Sequence, residues 1–256
     1  LSTVEIRQFI CRTDNFGVLL RDVDNQLTIA IDAPEEQPIL DALAAEGWKL
    51  THILTTHHHN DHVAANDALK RRFNVQIIGP DAEADRIPGI DRGVRGGDRF
   101  AIGVLDIEVI DTPGHTLGSV SYYMPGLAAV FAGDALFSLG CGRLLEGTPA
   151  MLWQSLQKLR ALPDETMLYC GHEYTASNAR FAASINPHNL ALHERVTEVE
   201  RLRVAGEPTL PVPLGLEKRT NPFLRADDAD LAEALGQGGQ SAEAVFADMR
   251  SRKDRF

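Results

Sequence analysis

The stretch Thr56-His57-His58-His59-Asn60-Asp61-His62 constrains this chain more than any other. It follows a short apolar run, Ile53-Leu54, and precedes Val63–Phe73, which reads as a helix. Imidazoles and a carboxylate crowded this closely make a poor core. None packs as well as Leu or Val, and neighbouring imidazoles repel once protonated. A divalent cation removes the conflict, because it binds neutral imidazole and ionised carboxylate together. At the frayed end of a strand, His57 and His59 are two residues apart and point to one side. Asp61 and His62, where the chain turns into the helix, face the same cavity from the other flank, while His58 and Asn60 point away. The competing reading is a polar surface loop with an accidental histidine run.

At 256 residues the chain has room for a large enzyme domain and a smaller one. Its formal charge of −11 argues against a nucleic-acid or anionic-membrane partner. No apolar run approaches the roughly 18 residues that a membrane span requires. Leu1–Ile10 carries Glu5, Arg7 and Gln8 among its apolar residues, unlike a signal peptide. Cys11, Cys141 and Cys170 are too scattered for a disulfide framework or a Cys-x-x-Cys site. They read as small buried hydrophobes in a reducing compartment, which predicts a cytoplasmic protein.

Val4–Ile10, Gly17–Arg21 and Leu27–Ile31 read as strands separated by polar turns. Glu36–Glu46 carries a helical stripe that Gly47 stops, and Leu50–Leu54 is the strand that delivers the histidines. His52, within that strand, reads as a hydrogen-bonded residue of the core or edge. Val75–Ile78 is a strand, Gly79–Asp98 a loop, and Phe100–Ile110 an alternating stretch in which Gly103 suggests a hairpin or a bulge. Ser119–Met124 and Leu127–Phe131 follow, joined by a Pro-Gly turn; Thr148–Leu162 is a helix capped by Thr148, and Thr166–Cys170 a final strand. Beyond it only helices are expected, with apolar stripes at Leu192, Val196, Val199 and Leu202 and at Ala242, Val245, Phe246 and Met249. The chain is therefore a mixed sheet with helices followed by a helical cap.

His115, Asp134 and His172 each follow a predicted strand and a glycine, which lets the backbone turn and aim the next side chain. With the Thr56–His62 loop, four strand ends offer metal-binding groups. This set exceeds one tetrahedral zinc and suits two metals bridged by a carboxylate. His57, His59 and His115 are expected to hold one metal, and Asp61, His62 and His172 the other, with Asp134 between them. Ligation by nitrogen and oxygen alone suits zinc first, with iron or manganese as alternatives.

Thr-His-x-His-x-Asp-His, followed by Pro113-Gly114-His115, Gly133-Asp134 and Gly171-His172, resembles the metallo-β-lactamase superfamily. Cys141-Gly142-Arg143, Glu146-Gly147-Thr148, Cys170 to Thr175, Asn221 to Arg225 and Arg250 to Phe256 are similar to glyoxalase II, the hydroxyacylglutathione hydrolases. The resemblance covers essentially the whole chain. It implies an αββα sandwich with the metals at one edge over residues 1–174, and a helical glutathione-binding domain over 175–256. It places glutathione contacts on Arg143, Tyr174, Arg250 and Lys253, with Leu145 standing where relatives often carry an aromatic residue. The implied reaction is hydrolysis of S-D-lactoylglutathione to glutathione and D-lactate, the second step of methylglyoxal detoxification. A monomer is expected, with the small-molecule thioester as its partner.

Water bridging two divalent metals loses a proton near neutral pH, and the hydroxide attacks a carbonyl carbon. A thioester suits this attack, since its thiolate leaving group, of pKa about 8.5, needs little help from an acid. Asp61 and Asp134 are the carboxylates expected to work with that hydroxide. Arg250, Arg252, Lys253 and Arg255 form a cationic cluster that reads either as a carboxylate-binding tail or as solvated charges at a helix C-terminus. The rival readings are a mononuclear-iron glutathione persulfide dioxygenase and a non-catalytic metal- or glutathione-binding module.

Overall fold

The computed structural model describes residues 3–256; Leu1 and Ser2 of the opening segment lie outside the described residues. The chain forms two compact units, one built from the residues up to Asp111 with Gly118–Gly133, the other from Thr112–Leu117 with Asp134–Phe256.

In the first unit, β1 (Val4–Cys11), β2 (Asn15–Asp22) and β3 (Leu27–Ile31) make an antiparallel meander. Asp22 closes its second turn by accepting hydrogen bonds from the Asn25 backbone and side chain. The helix α1 (Glu36–Glu46) occupies the span expected of it, and Gly47, at φ 67°, ends it in the left-handed region. This crossover brings β4 (His52–Leu54) parallel to β3. Then α2 (Asn60–Val63) and α3 (Asn66–Phe73) lead to β5 (Gln76–Pro80), and β6 (Arg92–Val94) completes the sheet in parallel. Leu19, Ala30, Ile53 and Ile77 stand side by side across β2 to β5, and pack with Ile39 and Leu43 of α1 and Leu69 of α3. Leu20, Ile29, Leu54 and Ile78 are just as buried, so the central strands are covered on both faces and read as continuous apolar runs.

Two expectations need correction here. The helix expected over Val63–Phe73 is split into α2 and α3. Ala33, just past β3, donates its N–H to the His62 carbonyl at 2.8 Å and accepts from the Ala65 N–H at 3.0 Å, so neither group serves a continuous helix. The loop expected over Gly79–Asp98 contains a 3-10 turn, Asp81–Arg86, and the edge strand β6.

A second sheet of this unit holds β7 (Arg99–Ile102), β8 (Leu105–Asp111), β9 (Val120–Met124) and β10 (Ala129–Phe131), antiparallel in that order. β7 and β8 form the anticipated hairpin, turning at Gly103 with φ 59°. The Tyr122 hydroxyl donates to the Thr55 carbonyl at 2.7 Å and the Val120 N–H to the Thr56 carbonyl at 3.0 Å. The end of β4 is thereby fixed from the second sheet.

The second unit opens with a tight hairpin, β11 (Leu136–Phe137) and β12 (Gly140–Cys141). The helix α4 (Pro149–Arg160) follows, with Thr148 capping the Met151 N–H at 3.3 Å. Next come β13 (Met167–Tyr169), α5 (Thr175–Ile185), α6 (Leu190–Val204), β14 (Val212–Pro213), α7 (Leu214–Thr220), α8 (Ala229–Ala234) and α9 (Ala242–Asp254). β14 overturns the expectation of helices only after Cys170. Its two residues pair with Met167 and Leu168, and Pro213 sits where a short strand tolerates a missing donor. The expected stripes turn inward, with Val196, Leu202 and Ala242 half-buried and the rest buried: Leu192 and Val199 pack with Leu139, Ala179 and Ala182, and Phe246 lies 5.8 Å from the rings of both Trp153 and Phe223.

Polar side chains of the helical region converge on the β11–β12 hairpin. The buried Glu217 of α7 accepts from the Ser138 hydroxyl at 2.6 Å and the Leu139 N–H at 2.8 Å. Asn221 donates to the carbonyls of Phe137 and Gly140, both at 3.0 Å, and Asn178 to that of Ser138 at 3.1 Å. Burial pushes the Glu217 carboxyl above its ordinary value, although these donors oppose the shift. Among the described residues no helix is long and apolar enough to cross a membrane.

Candidate metal centre

The contiguous ligand group lies wholly in the first unit and starts where β4 ends. Asp32, at φ 57° directly after β3, accepts the Thr56 N–H at 2.7 Å and the Thr56 hydroxyl at 2.8 Å. A Cβ on Gly133 would come within 2.5 Å of that hydroxyl oxygen, which accounts for the glycine at that position. Since Thr56 Oγ1 gives its proton to Asp32, it accepts one from His57 Nδ1, 3.0 Å away. The His57 Nε2 lone pair then faces His59 Nδ1 at 3.1 Å. Asp32 also takes the Nδ1 proton of His62 at 2.8 Å, which turns the Nε2 of His62 toward Asp61 Oδ2 at 3.7 Å. Asn15 of β2 holds Asp61 by donating to its backbone oxygen at 3.1 Å and its Oδ2 at 3.2 Å. His57 and His62 are almost fully buried, with ring centroids 4.1 Å apart. As expected, His58 turns away from this group and onto Glu83.

In the second unit, His115, Asp134 and His172 come together from three separate segments. Gly114 precedes His115 with φ 147°, and a Cβ there would meet Leu152 of α4 at 2.6 Å, so only glycine lets the turn approach the helix. His115 Nδ1 donates to the Arg143 carbonyl at 2.9 Å, leaving Nε2 aimed at Asp134 Oδ2, 3.6 Å away. His172 Nε2 lies 3.3 Å from the same oxygen. Asp134 thus presents one oxygen to two imidazoles, as a bridging carboxylate does. The His172 ring stacks on Tyr174 with centroids 4.6 Å apart and an interplanar angle of 6°.

Both groups share a chemistry. The Nδ1 protons of His57, His62 and His115 go to a hydroxyl, a carboxylate and a backbone carbonyl in turn, and this fixes the tautomer that offers Nε2 as a ligand. Imidazoles and carboxylates, most of them buried and facing one another at 3 to 4 Å, are a donor set that suits divalent metal ions. Thiolates play no part. All three cysteines are free and buried, and burial pushes the Cys141 thiol up to about 11, the Cys11 thiol up to about 12 and the Cys170 thiol higher still.

The expected glutathione contacts divide into two kinds. Arg143 and Tyr174 are exposed, and the Arg143 side chain has no ion-pair partner among the described residues. Lys253 is half-buried and donates to Ser177, at 3.2 Å from its carbonyl and 3.4 Å from its hydroxyl. Burial, followed by the nearby charges of Arg250, Arg180 and Arg143, pulls its ammonium down to about 8. An anion seated there would relieve that repulsion. Arg250 departs from the picture of an exposed cationic tail: it is 3% exposed, donating to the Cys141 carbonyl at 2.9 Å and to Asp254 at 2.9 Å. Arg252 donates to the Leu235 carbonyl and pairs with Asp248, as structural cations of a helix end do. Sequence reasoning missed Arg180, one helical turn beyond Ser177, which the register of α5 places on the same face. It also missed Asp32 and Asn15, whose partners lie 24 to 46 residues away along the chain.

Comparison with known proteins covers both units. Residues 24–172 match the metallo-beta-lactamase superfamily model and residues 173–256 the model of the hydroxyacylglutathione hydrolase C-terminus. The chain is 57% identical over 256 residues to a hydroxyacylglutathione hydrolase of Rhizobium meliloti, covering 100% of both chains. It is 58% identical over 253 residues to one of Brucella anthropi, covering 99% of this chain and 97% of the relative. Among solved structures it resembles TTHA1623 in a di-iron-bound form, with a TM-score of 0.63 and 26% identity over 84% of this chain and 98% of that one. ETHE1 from Myxococcus xanthus gives a TM-score of 0.62 and 29% identity over 91% and 99%. With a superfamily model across its ligand-bearing region, a second model across its helices and full-length relatives, the chain belongs to the hydroxyacylglutathione hydrolases (glyoxalase II), thioester hydrolases of the metallo-β-lactamase superfamily.

Proposed function

We propose that the chain hydrolyses S-(2-hydroxyacyl)glutathione thioesters, S-D-lactoylglutathione among them, to glutathione and a 2-hydroxy acid, the second step of methylglyoxal detoxification. The full-length match at 57% identity carries this reading, because it includes the helical C-terminal region as well as the ligand motif. That same region favours the hydrolase over a persulfide dioxygenase on the same scaffold. Residues 1–174 are taken as the catalytic domain and 175–256 as the glutathione-binding domain, in keeping with the family models that meet at residues 172 and 173.

His57, His59 and His115 would hold one divalent ion, and Asp61, His62 and His172 a second, with Asp134 shared between them. Zinc is the first choice, and iron or manganese fit the same donors. Two such ions would acidify a water and polarise a carbonyl when bound. The chain's own residues do the rest. Asp61 and Asp134 orient the attacking water, and Asn15 keeps Asp61 in place. Arg143 and Lys253, with Tyr174 beside them, bind the glutathione part by charge-assisted hydrogen bonds. Arg250 supports that subsite from beneath, and its own reach to the substrate is limited by the carbonyls it already serves. The departing thiolate needs no proton donor at neutral pH. One chain carries every proposed ligand, which favours a monomer, and three free thiols favour the cytoplasm.

Metal analysis of the full chain after metal-replete expression, paired with a thioester assay on S-lactoylglutathione and a plain acyl-CoA, tests this reading. About two equivalents of metal and a strong preference for the glutathione thioester are expected. A metal-loaded protein that cleaves neither thioester would leave only a binding module.

A further inference from the structure

His58 stands between two of the proposed ligands, yet its ring turns the other way. It meets Glu83, in the 3-10 turn Asp81–Arg86 that joins β5 to β6. Glu83 is 3% exposed. Its Oε2 accepts the His58 backbone N–H at 2.8 Å and the ring Nδ1 proton at 2.7 Å. Its Oε1 accepts the Gly118 N–H at 2.9 Å. A Cβ on Gly118 would stand 2.6 Å from Glu83 Cγ, so the glycine allows this close approach. Arg86 donates to His58 Nε2, which completes the ring's tautomer.

Burying a carboxylate this deeply is costly, and the partners of Glu83 among the described residues are backbone N–H groups and the His58 ring, not a Lys or Arg. Packing alone would be served better by an apolar side chain of the same size. What the carboxylate does supply is a fixed pair of acceptors for the backbone and the ring of one residue. That residue lies between His57 and His59, so holding its peptide sets the backbone from which both neighbours leave. Asp32 grips the same loop at Thr56 and His62. The two carboxylates therefore hold Thr56, His58 and His62 between them, and the stretch from Thr56 to His59 has no helix or strand of its own to keep its ring nitrogens aligned.

We propose that Glu83, acting through His58, is a positioning residue for the metal-ligand loop. It sets where His57 and His59 present their ring nitrogens to a cation, and the inference rests on those two being ligands. The test uses the full chain loaded with zinc and a chromophoric chelator in competition, with the thermal midpoint of the metal-free protein measured alongside. Glu83→Gln is expected to weaken zinc binding about 10- to 100-fold while the metal-free midpoint moves by only a few degrees. His58→Ala, which keeps the backbone donor to Glu83, is expected to weaken it less, by about threefold or more. Zinc affinity in folded Glu83→Gln within about twofold of the parent would overturn the proposal. Should Glu83→Gln not fold, His58→Ala decides: unchanged affinity overturns it and weakened affinity supports it. If the unaltered chain binds no zinc, the ligand assignment itself fails and this inference falls with it.

Discussion

The two halves of the ligand set are built in opposite ways. In the first unit the four residues are neighbours in sequence, and their holders, Asp32 and Asn15, are side chains from distant strands. In the second unit the three residues come from separate segments, and His115 is oriented by a backbone carbonyl, that of Arg143. A compact motif thus depends on remote side chains, while a dispersed one leans on main chain and on glycines that allow close approach. The difference teaches which half a point mutation can loosen without touching a ligand.

Replacing Asp134 with Ala should have the largest effect, since it removes the oxygen that two imidazoles face. A loss of several kcal/mol of transition-state stabilisation is about 10³-fold or more in kcat, with far-UV circular dichroism unchanged. Retained turnover in that folded variant would sink the bridging role. Asp32→Asn should come next. It leaves every ligand in place but disturbs the protons on Thr56 and His62, so metal affinity should fall about 10- to 100-fold in chelator competition. Arg143→Ala is the sharpest contrast and the smallest effect. The carbonyl that orients His115 survives the substitution, so metal content should stay at the parental level while KM rises by about tenfold and kcat holds. A loss of metal in that variant would mean that the second half is as dependent on side chains as the first.

How much of this was legible beforehand follows from the range of the interactions involved. The helix Glu36–Glu46 and its Gly47 stop, the Thr148 cap and the Gly103 hairpin depend on neighbours a few residues away, and the spacing revealed them. The candidate ligand residues stood out as a set, since a histidine after a glycine is ordinary by itself while several imidazoles and carboxylates at strand ends together are not. What escaped detection depends on long-range pairing. The break between α2 and α3 is imposed by Ala33, and β6 and β14 exist only because a strand elsewhere offers them an edge. Asp32 escaped notice at the end of the strand Leu27–Ile31, since nothing local shows that its two oxygens serve Thr56 and His62. Arg250 was expected to reach the substrate from a cationic tail, and only the folded helix α9 shows it turned inward onto the Cys141 carbonyl.

That inward turn has a consequence for the end of the chain. Arg250 holds the carbonyls of Cys141 and Gly142, one residue before the carbonyl that steers the His115 ring. The final helix therefore braces the segment whose Arg143 carbonyl orients the His115 ring. Proteolytic trimming there should loosen that ring as well as remove the cations proposed to bind glutathione.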